Sequence, residues 1–216
     1  MVKPLIEGFK NFKKNYFEKN KLFFDRLVKN GQKPKVMIIS CSDARVDPST
    51  IFNAKPGELF IVRNVANLVP PYAPNEGVHG VSAAIEFAVL DLKVEHIIIL
   101  GHAFCSGISA LCKSCKLEQE DIQGTNENNK EFIDNWVNIS KNAIIKLNLK
   151  NWPGSIQHIA ERESILNSLN NLMTFPWVSE LVKKNNLTIH GWWFDIENGS
   201  LWNIDQKNNK FAKLIP

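Results

Sequence analysis

Short apolar runs alternate with amphipathic patterns along the chain. Three runs that are rich in β-branched residues and bounded by polar or turn residues predict buried strands: 36–39, 59–62 and 96–100. Apolar residues spaced three and four apart predict helices over three further segments: 78–92, 132–147 and 159–173. Because helices alternate with strands, we expect an α/β fold with a central, mostly parallel sheet flanked by helices.

The two ends of the chain carry their own patterns. Near the N-terminus, six apolar residues recur at helical spacing: Leu5, Phe9, Phe12, Tyr16, Phe23 and Leu27. This stripe predicts a helical arm over residues 1–30 that Gly31 can end, with the aromatic residues in a core or a subunit contact. Near the C-terminus, Asn198-Gly199 between two strand-like runs predicts an antiparallel edge hairpin. We expect a single domain over residues 1–216.

Composition narrows the class of protein. The 26 Lys and Arg residues exceed the 22 Asp and Glu residues by only four, and the lysines are scattered, so the chain lacks the basic patch of a nucleic-acid binder. No apolar run reaches the roughly 18 residues of a membrane span, and no secretory signal is recognisable. The sequence thus predicts a soluble, cytoplasmic protein without nucleic-acid or membrane partners. In that compartment four cysteines indicate thiols or metal ligands rather than disulfides.

Metal-capable residues follow two of the predicted strands. Cys41 follows the first strand, and His102 and Cys105 follow the third. If these strands are neighbours in a parallel sheet, their carboxyl ends lie about 5 Å apart, which lets the three side chains converge. Two thiolates and one imidazole are typical zinc ligands, and three protein ligands leave the fourth position open, as in catalytic sites.

Other interpretations of these residues stay open. His102 alone could be a hydrogen-bonded core histidine, and a structural zinc site could also use Cys112 and Cys115. The Cys112-x-x-Cys115 spacing also admits a thiol redox protein, although the surrounding pattern lacks the strand-to-helix setting of that motif. Neither alternative accounts for the Asp-x-Arg pair, Asp43 and Arg45, that begins two residues after Cys41.

Five segments of the sequence resemble successive blocks of the β-class carbonic anhydrases. In chain order they are "CSDARVDPS", "PGELFIVRNVANLVPPY", "SAAIEFAVLDLKV", "ILGHAFCSGISAL" and "LTIHGWWFDIENGSL". The match runs from Gln32 to Ile204, and "GQKPK" and "VANLVPPY" resemble the subgroup that includes the plant enzymes. The resemblance implies a zinc lyase that hydrates carbon dioxide reversibly to bicarbonate and works as a homodimer or a higher even oligomer.

The resemblance also implies a role for each residue of the site. It places one zinc ion per chain on Cys41, His102 and Cys105, and the catalytic dyad on Asp43 and Arg45. The dyad also makes physical sense, because the planar fork of an arginine can grip a carboxylate and orient it beside a metal. The substrate pocket that the family implies is lined, across a dimer interface, by three residues: Gln32, Phe60 and Val65.

Four positions depart from the family's usual pattern: Ala44, Phe87, Ala103 and Ser106. None of them removes a ligand, but Ser106 adds a side chain where glycine is usual, and Phe87 lacks the hydroxyl of a tyrosine. Two rival functions therefore stay open. One is hydrolysis of carbonyl sulfide or carbon disulfide at the same site, and the other is a zinc-binding scaffold protein without turnover.

Overall fold

The computed structural model describes residues 2–75, 77–115, 130–146, 155–205 and 209–215. The chain divides into two compact units, Met1–Lys33 and Pro34–Pro216. The expected organisation, one domain with a helical arm over residues 1–30, stays a prediction. The sequence predicts a surface loop or a short helix over the polar stretch 116–130, of which 116–129 lie outside the described residues, as does Leu147.

The N-terminal unit is helical, as its apolar stripe predicts. Its segments are α1 (Lys3–Phe12), a π-helical turn (Lys13–Phe17), a 3₁₀ turn (Glu18–Asn20) and α2 (Lys21–Asn30). Gly31 follows α2 with φ +68°, a conformation that glycine adopts without steric cost. The ring centre of Phe24 lies 6.2 Å from that of Phe12 and 4.7 Å from that of Phe17, and the Phe12 and Phe17 ring centres are 6.5 Å apart. Leu5 and Phe9 nevertheless stay 73% and 64% exposed.

A six-stranded sheet organises the second unit and confirms the predicted fold class. Its strand order is β2-β1-β3-β4-β5-β6. The strands are β1 (Val36–Cys41), β2 (Leu59–Asn64), β3 (His96–His102), β4 (Thr188–Asp195), β5 (Ser200–Asp205) and β6 (Lys210–Ile215). The first four pair in parallel, and β5 and β6 are antiparallel. The Asn198-Gly199 turn joins β4 to β5 as predicted, whereas the sequence pattern does not predict the edge strand β6.

Helices and single helical turns connect the strands. They are α3 (Pro48–Ile51), a 3₁₀ turn (Val65–Asn67), α4 (Gly80–Glu86) with a π-helical turn (Phe87–Asp91), α5 (Ser106–Ser114), α6 (Ile133–Val137), a 3₁₀ turn (Asn138–Ser140), α7 (Lys141–Ile145), α8 (Ile156–Leu172) and α9 (Pro176–Lys183). Within the described ranges, none of these helices combines the length and the apolar composition that a membrane span needs.

The apolar strands are buried on both faces of the sheet. Along β3, Ile97 and Ile99 join the large core under α4, α8 and α9, whereas Ile98 joins a smaller cluster on the opposite face. This alternation follows from the two-residue period of a strand, and each such side chain contributes about 1.5–3 kcal/mol through burial. The paired, rigid strands β1 and β3 therefore hold their carboxyl ends in a fixed position.

A histidine pair at the opposite end of β3 should make stability depend on pH. Nε2 of His190 lies 3.2 Å from Nδ1 of His96. Burial, and then the neighbouring His96, lower the pKa of His190 below its ordinary value of 6.5. The unfolded chain therefore binds more protons as the pH falls below that value, and the folded state loses stability.

We therefore expect the free energy of unfolding to fall less in His190→Asn than in the wild type when the pH is lowered from about 7 to about 5, the range in which histidine titrates. Urea unfolding of both proteins across this range measures the difference. Other groups near the pair, such as Glu95, are common to both proteins and cancel. Parallel pH profiles for the two proteins would contradict the prediction.

Candidate metal centre

Three buried side chains, Cys41, His102 and Cys105, meet at the carboxyl ends of two neighbouring strands, and we refer to them as the metal-binding group. Cys41 is the last residue of β1, His102 is the last residue of β3, and Cys105 directly precedes α5. Their ligand atoms all lie within 4.8 Å of one another, and the two sulfur atoms are 3.9 Å apart. The side chains are 5%, 1% and 1% exposed, respectively. Because β1 and β3 pair directly, the convergence expected from the sequence is present in the structure.

One ring nitrogen of His102 is free to bind a metal ion. Its Nδ1 lies 2.8 Å from the carbonyl oxygen of Ala103, and since a carbonyl only accepts, Nδ1 carries the hydrogen and donates it. The lone pair of Nε2 is therefore free, and this buried atom has no hydrogen-bond partner among the described residues. Metal-binding histidines are characteristically fixed in this way, so the donor set fits a metal ion.

The two sulfur atoms fit a cation for an electrostatic reason. A hydrogen bond from Cys105 lowers the pKa of Cys41 to about 4, whereas the same contact and burial raise the pKa of Cys105. The lowered pKa favours the thiolate form of Cys41, and this sulfur also accepts from the backbone N–H of Ala66 at 3.4 Å. Loss of the Cys105 proton would place two buried thiolates 3.9 Å apart, and a divalent cation between them would remove their repulsion.

Asp43 and Arg45 form a tightly paired dyad beside the group. Nε and Nη2 of Arg45 donate to the two carboxylate oxygens of Asp43 at 2.9 and 2.7 Å, and the Arg45 backbone N–H adds a bond of 2.9 Å. Nη2 also donates to the carbonyl of Phe104 at 3.0 Å. These hydrogen bonds hold the pKa of Asp43 well below its usual range. Its Oδ2 lies 4.0 Å from Nε2 of His102, so the ionised carboxylate faces the metal-binding group.

A second arginine, for which the sequence pattern predicts no role, lies on β2 and holds the same loop through hydrogen bonds. Arg63 donates to the backbone carbonyls of Cys41 and Asp43 at 3.0 and 2.7 Å, and to the carboxylate of Asp47 at 3.1 Å. Asp47 in turn caps α3 through the backbone N–H of Thr50. A side chain from the neighbouring strand thus holds the backbone from the Cys41 carbonyl to the Asp43 carbonyl.

The residues predicted for the substrate pocket occupy different parts of the structure. Phe60 lies on β2, and its ring centre is 5.9 Å from that of Phe87. Val65 begins the 3₁₀ turn after β2, and its carbonyl accepts from Nε1 of Trp136 at 2.7 Å. Gln32 belongs to the N-terminal unit. The pocket role of these residues stays a prediction.

Cys112 and Cys115 do not join the metal-binding group. Cys112 is buried in α5, and Cys115 ends that helix half-buried. Among the described residues, the only group of three or more metal-capable side chains consists of the two cysteines and the histidine above. The structure therefore gives no support to a structural zinc site built with this pair.

The turn that supports Cys41 requires a glycine opposite it. A Cβ on Gly107 would lie 2.8 Å from Cγ1 of Val65 and 3.1 Å from Cβ of Ala66, whose φ of +66° already strains the turn. We expect Gly107→Ala to lower the free energy of unfolding by about 1–3 kcal/mol through overpacking. Urea unfolding measures this change.

Gly80 provides the matched control for that substitution. It begins α4, and nothing lies within 4 Å of an added Cβ. We expect Gly80→Ala to leave stability unchanged or to raise it by about 0.4–1 kcal/mol. Equal effects of the two substitutions would show that the tight packing at Gly107 has no energetic consequence.

Fold and site together define a class of protein, an α/β protein with a buried Cys₂His group suited to a metal ion at the carboxyl ends of its parallel strands. A family model described as carbonic anhydrase matches residues 36–201. Beta carbonic anhydrase 3 of Arabidopsis thaliana is 40% identical over 212 residues, which cover 95% of this chain and 78% of the relative. The chain belongs to the β-carbonic anhydrase family.

Other relatives agree with this assignment. A carbonic anhydrase of Synechococcus elongatus is 32% identical over 212 residues, covering 96% of this chain and 73% of the relative. The solved structure of the β-carbonic anhydrase CcaA aligns with a TM-score of 0.84 at 30% identity, over 100% of this chain and 92% of that one. A tetrameric β-carbonic anhydrase of Sordaria macrospora aligns with a TM-score of 0.71 at 27% identity, over 97% and 94%.

Proposed function

We propose that this protein catalyses the reversible hydration of carbon dioxide to bicarbonate and a proton, with one zinc ion per chain held by Cys41, His102 and Cys105. The observation that carries the proposal is the convergence of these three ligand atoms within 4.8 Å, beside an arginine-held carboxylate. Membership of the β-carbonic anhydrase family supports the same reaction. When bound, zinc supplies Lewis-acid activation of a water molecule.

Asp43 orients that water molecule in this proposal. Its carboxylate has about four lone-pair positions, three of which accept from Arg45, so one remains for a hydrogen bond. Because the pKa of Asp43 lies well below its usual range, this group accepts a hydrogen bond near neutral pH and cannot act as an acid. Because this acceptor has a fixed direction, the water molecule that donates to it is oriented with an oxygen lone pair toward the carbon of carbon dioxide.

The substrate pocket is proposed to be largely apolar, because carbon dioxide is uncharged and a poor hydrogen-bonding partner. Phe60 within β2 and Val65 directly after it supply apolar surface, and the hydrogen bond from Trp136 fixes the backbone at Val65. Gln32 is proposed to contribute a polar contact from a second protomer, a role that the family resemblance implies.

A homodimer, or a higher even oligomer, is proposed as the working form. The Sordaria macrospora relative is described as tetrameric. In the present chain, Leu5 and Phe9 of α1 are 73% and 64% exposed, which leaves an apolar helix face for a second copy to cover. Sedimentation velocity at assay concentration should show no monomer. A fully active monomer would contradict this arrangement.

A cytoplasmic location is proposed because thiol ligands persist in a reducing compartment.

The proposed reaction is tested directly by stopped-flow hydration of carbon dioxide with zinc-saturated protein. We expect kcat/KM within the enzymatic range of about 10⁴–10⁸ M⁻¹s⁻¹, and loss of turnover when a chelator removes the metal. Carbonyl sulfide and carbon disulfide, offered to the same preparation, test the rival substrates. Zinc-loaded protein that hydrates carbon dioxide no faster than buffer would refute the proposal and favour a scaffold role.

A further inference from the structure

Helix α8 places a buried carboxylate against the loop that carries Cys105. Glu161 is 2% exposed, and its two oxygens accept three N–H groups. Oε1 accepts from the backbone N–H of Cys105 at 2.9 Å and from Nε2 of Gln157 at 3.1 Å, and Oε2 accepts from Nε1 of Trp193 at 3.1 Å. Both oxygens are therefore used in fixing neighbouring groups.

Gln157 completes a clamp around the same cysteine. It lies one helical turn before Glu161 on the same face of α8, and its Nε2 also donates to the carbonyl oxygen of Cys105 at 3.2 Å. The N–H and the C=O of Cys105 are thus both held by side chains of α8. Its sulfur projects from a backbone that two neighbouring side chains restrain.

Cys105 needs such support more than the other two residues of the group. Cys41 and His102 belong to paired strands, so the hydrogen-bond ladder of the sheet positions them. Cys105 instead follows Phe104, whose φ of +58° is strained for an aromatic side chain. The Cys105 carbonyl also accepts from the backbone N–H of Ser109 at 2.9 Å, so the clamp from α8 adds to the first turn of α5 and supplies the partner of the Cys105 N–H that a strand would otherwise provide.

We propose that Glu161 is a positioning residue, which fixes the backbone of Cys105 and so directs its sulfur toward the metal, with Gln157 as its partner. This inference rests on the proposed zinc site. A buried carboxylate is expensive to desolvate, and only an arrangement that uses both oxygens offsets that cost. A glutamine at position 161 has a single acceptor oxygen, and its NH₂ would face either the Cys105 N–H or the Trp193 N–H.

The test measures zinc affinity by chelator competition and the sulfur-to-cobalt charge-transfer absorption after cobalt(II) substitution. Partners that orient metal ligands contribute about 10- to 100-fold to metal affinity, so Glu161→Gln should weaken zinc binding by that factor and shift the cobalt band. Gln157→Leu, which leaves the charge of the site unchanged, should weaken zinc binding in the same direction. Glu163→Gln, a half-buried carboxylate on the same helix, is the control and should match the wild type.

The outcomes separate the alternatives. If Glu161→Gln lowers only the melting temperature of the metal-free protein and leaves zinc affinity and the cobalt band unchanged, the residue is merely structural and the proposal fails. If Gln157→Leu binds zinc as tightly as the wild type, the effect of Glu161 is one of charge and the positioning role is wrong. If Glu161→Gln does not fold, Gln157→Leu decides alone. Wild-type protein that binds no zinc would instead refute the proposed function.

Discussion

Alanine at Cys41, His102 or Cys105 is expected to abolish zinc binding and, with it, the hydration of carbon dioxide. Each substitution leaves two ligands of the three that converge within 4.8 Å, too few for a catalytic zinc site. The metal's Lewis-acid contribution is several kcal/mol, so turnover should fall by on the order of 10³-fold or more. Elemental analysis and stopped-flow assays of each variant measure the two losses.

A double substitution provides the matched control. Cys112→Ala together with Cys115→Ala removes the two other cysteines, neither of which belongs to the metal-binding group. We expect this protein to keep its zinc and its turnover, although the buried position of Cys112 in α5 will reduce stability somewhat. Zinc loss from the double variant would contradict the assignment of the three ligands and favour a structural zinc site that uses Cys112 and Cys115.

The parts of the fold that could be predicted from the sequence are those with a strong local pattern. The strands β1, β2 and β3 were expected because each is a short β-branched run, and the β4–β5 turn was expected from Asn198-Gly199. Convergence of the metal-binding group follows from one topological fact, that parallel neighbouring strands end at the same edge. The strand β6 was missed because its sequence, "KFAKLI", is an exposed edge strand without clear alternation.

The supporting residues of the site could not be predicted, because their role depends on tertiary contacts. In the sequence, Arg63 is only a polar residue directly after a predicted strand. The pairing of β1 with β2 brings it to the Cys41 carbonyl. Glu161 had one signal, an acidic residue on the face of α8 that also carries Ser164 and Ile165, both buried. That pattern marks a buried carboxylate, but the sequence contains no information on which N–H groups it meets.

The other large effect is expected at the dyad. Asp43→Asn should keep the metal, because Asp43 is not one of the three ligands, and should lower kcat/KM by about 10²- to 10⁴-fold. An amide cannot accept from Arg45 through both of its heavy atoms, as the carboxylate does at 2.9 and 2.7 Å. Its NH₂ must therefore face either the arginine or the position where a hydrogen bond has to be accepted.

Two further variants sharpen this prediction. Arg45→Ala leaves the carboxylate in place but frees it to rotate, so it should resemble Asp43→Asn in turnover and keep its zinc. Glu180→Gln breaks an exposed carboxylate–lysine pair on α9, with Lys184 at 2.5 Å, and serves as the control for loss of a paired charge. It should leave kcat/KM unchanged, since exposed ion pairs contribute little. Near-normal turnover by zinc-loaded Asp43→Asn would mean that the nucleophile is oriented by another group, and that the grip of Arg45 on this carboxylate serves only to hold the loop.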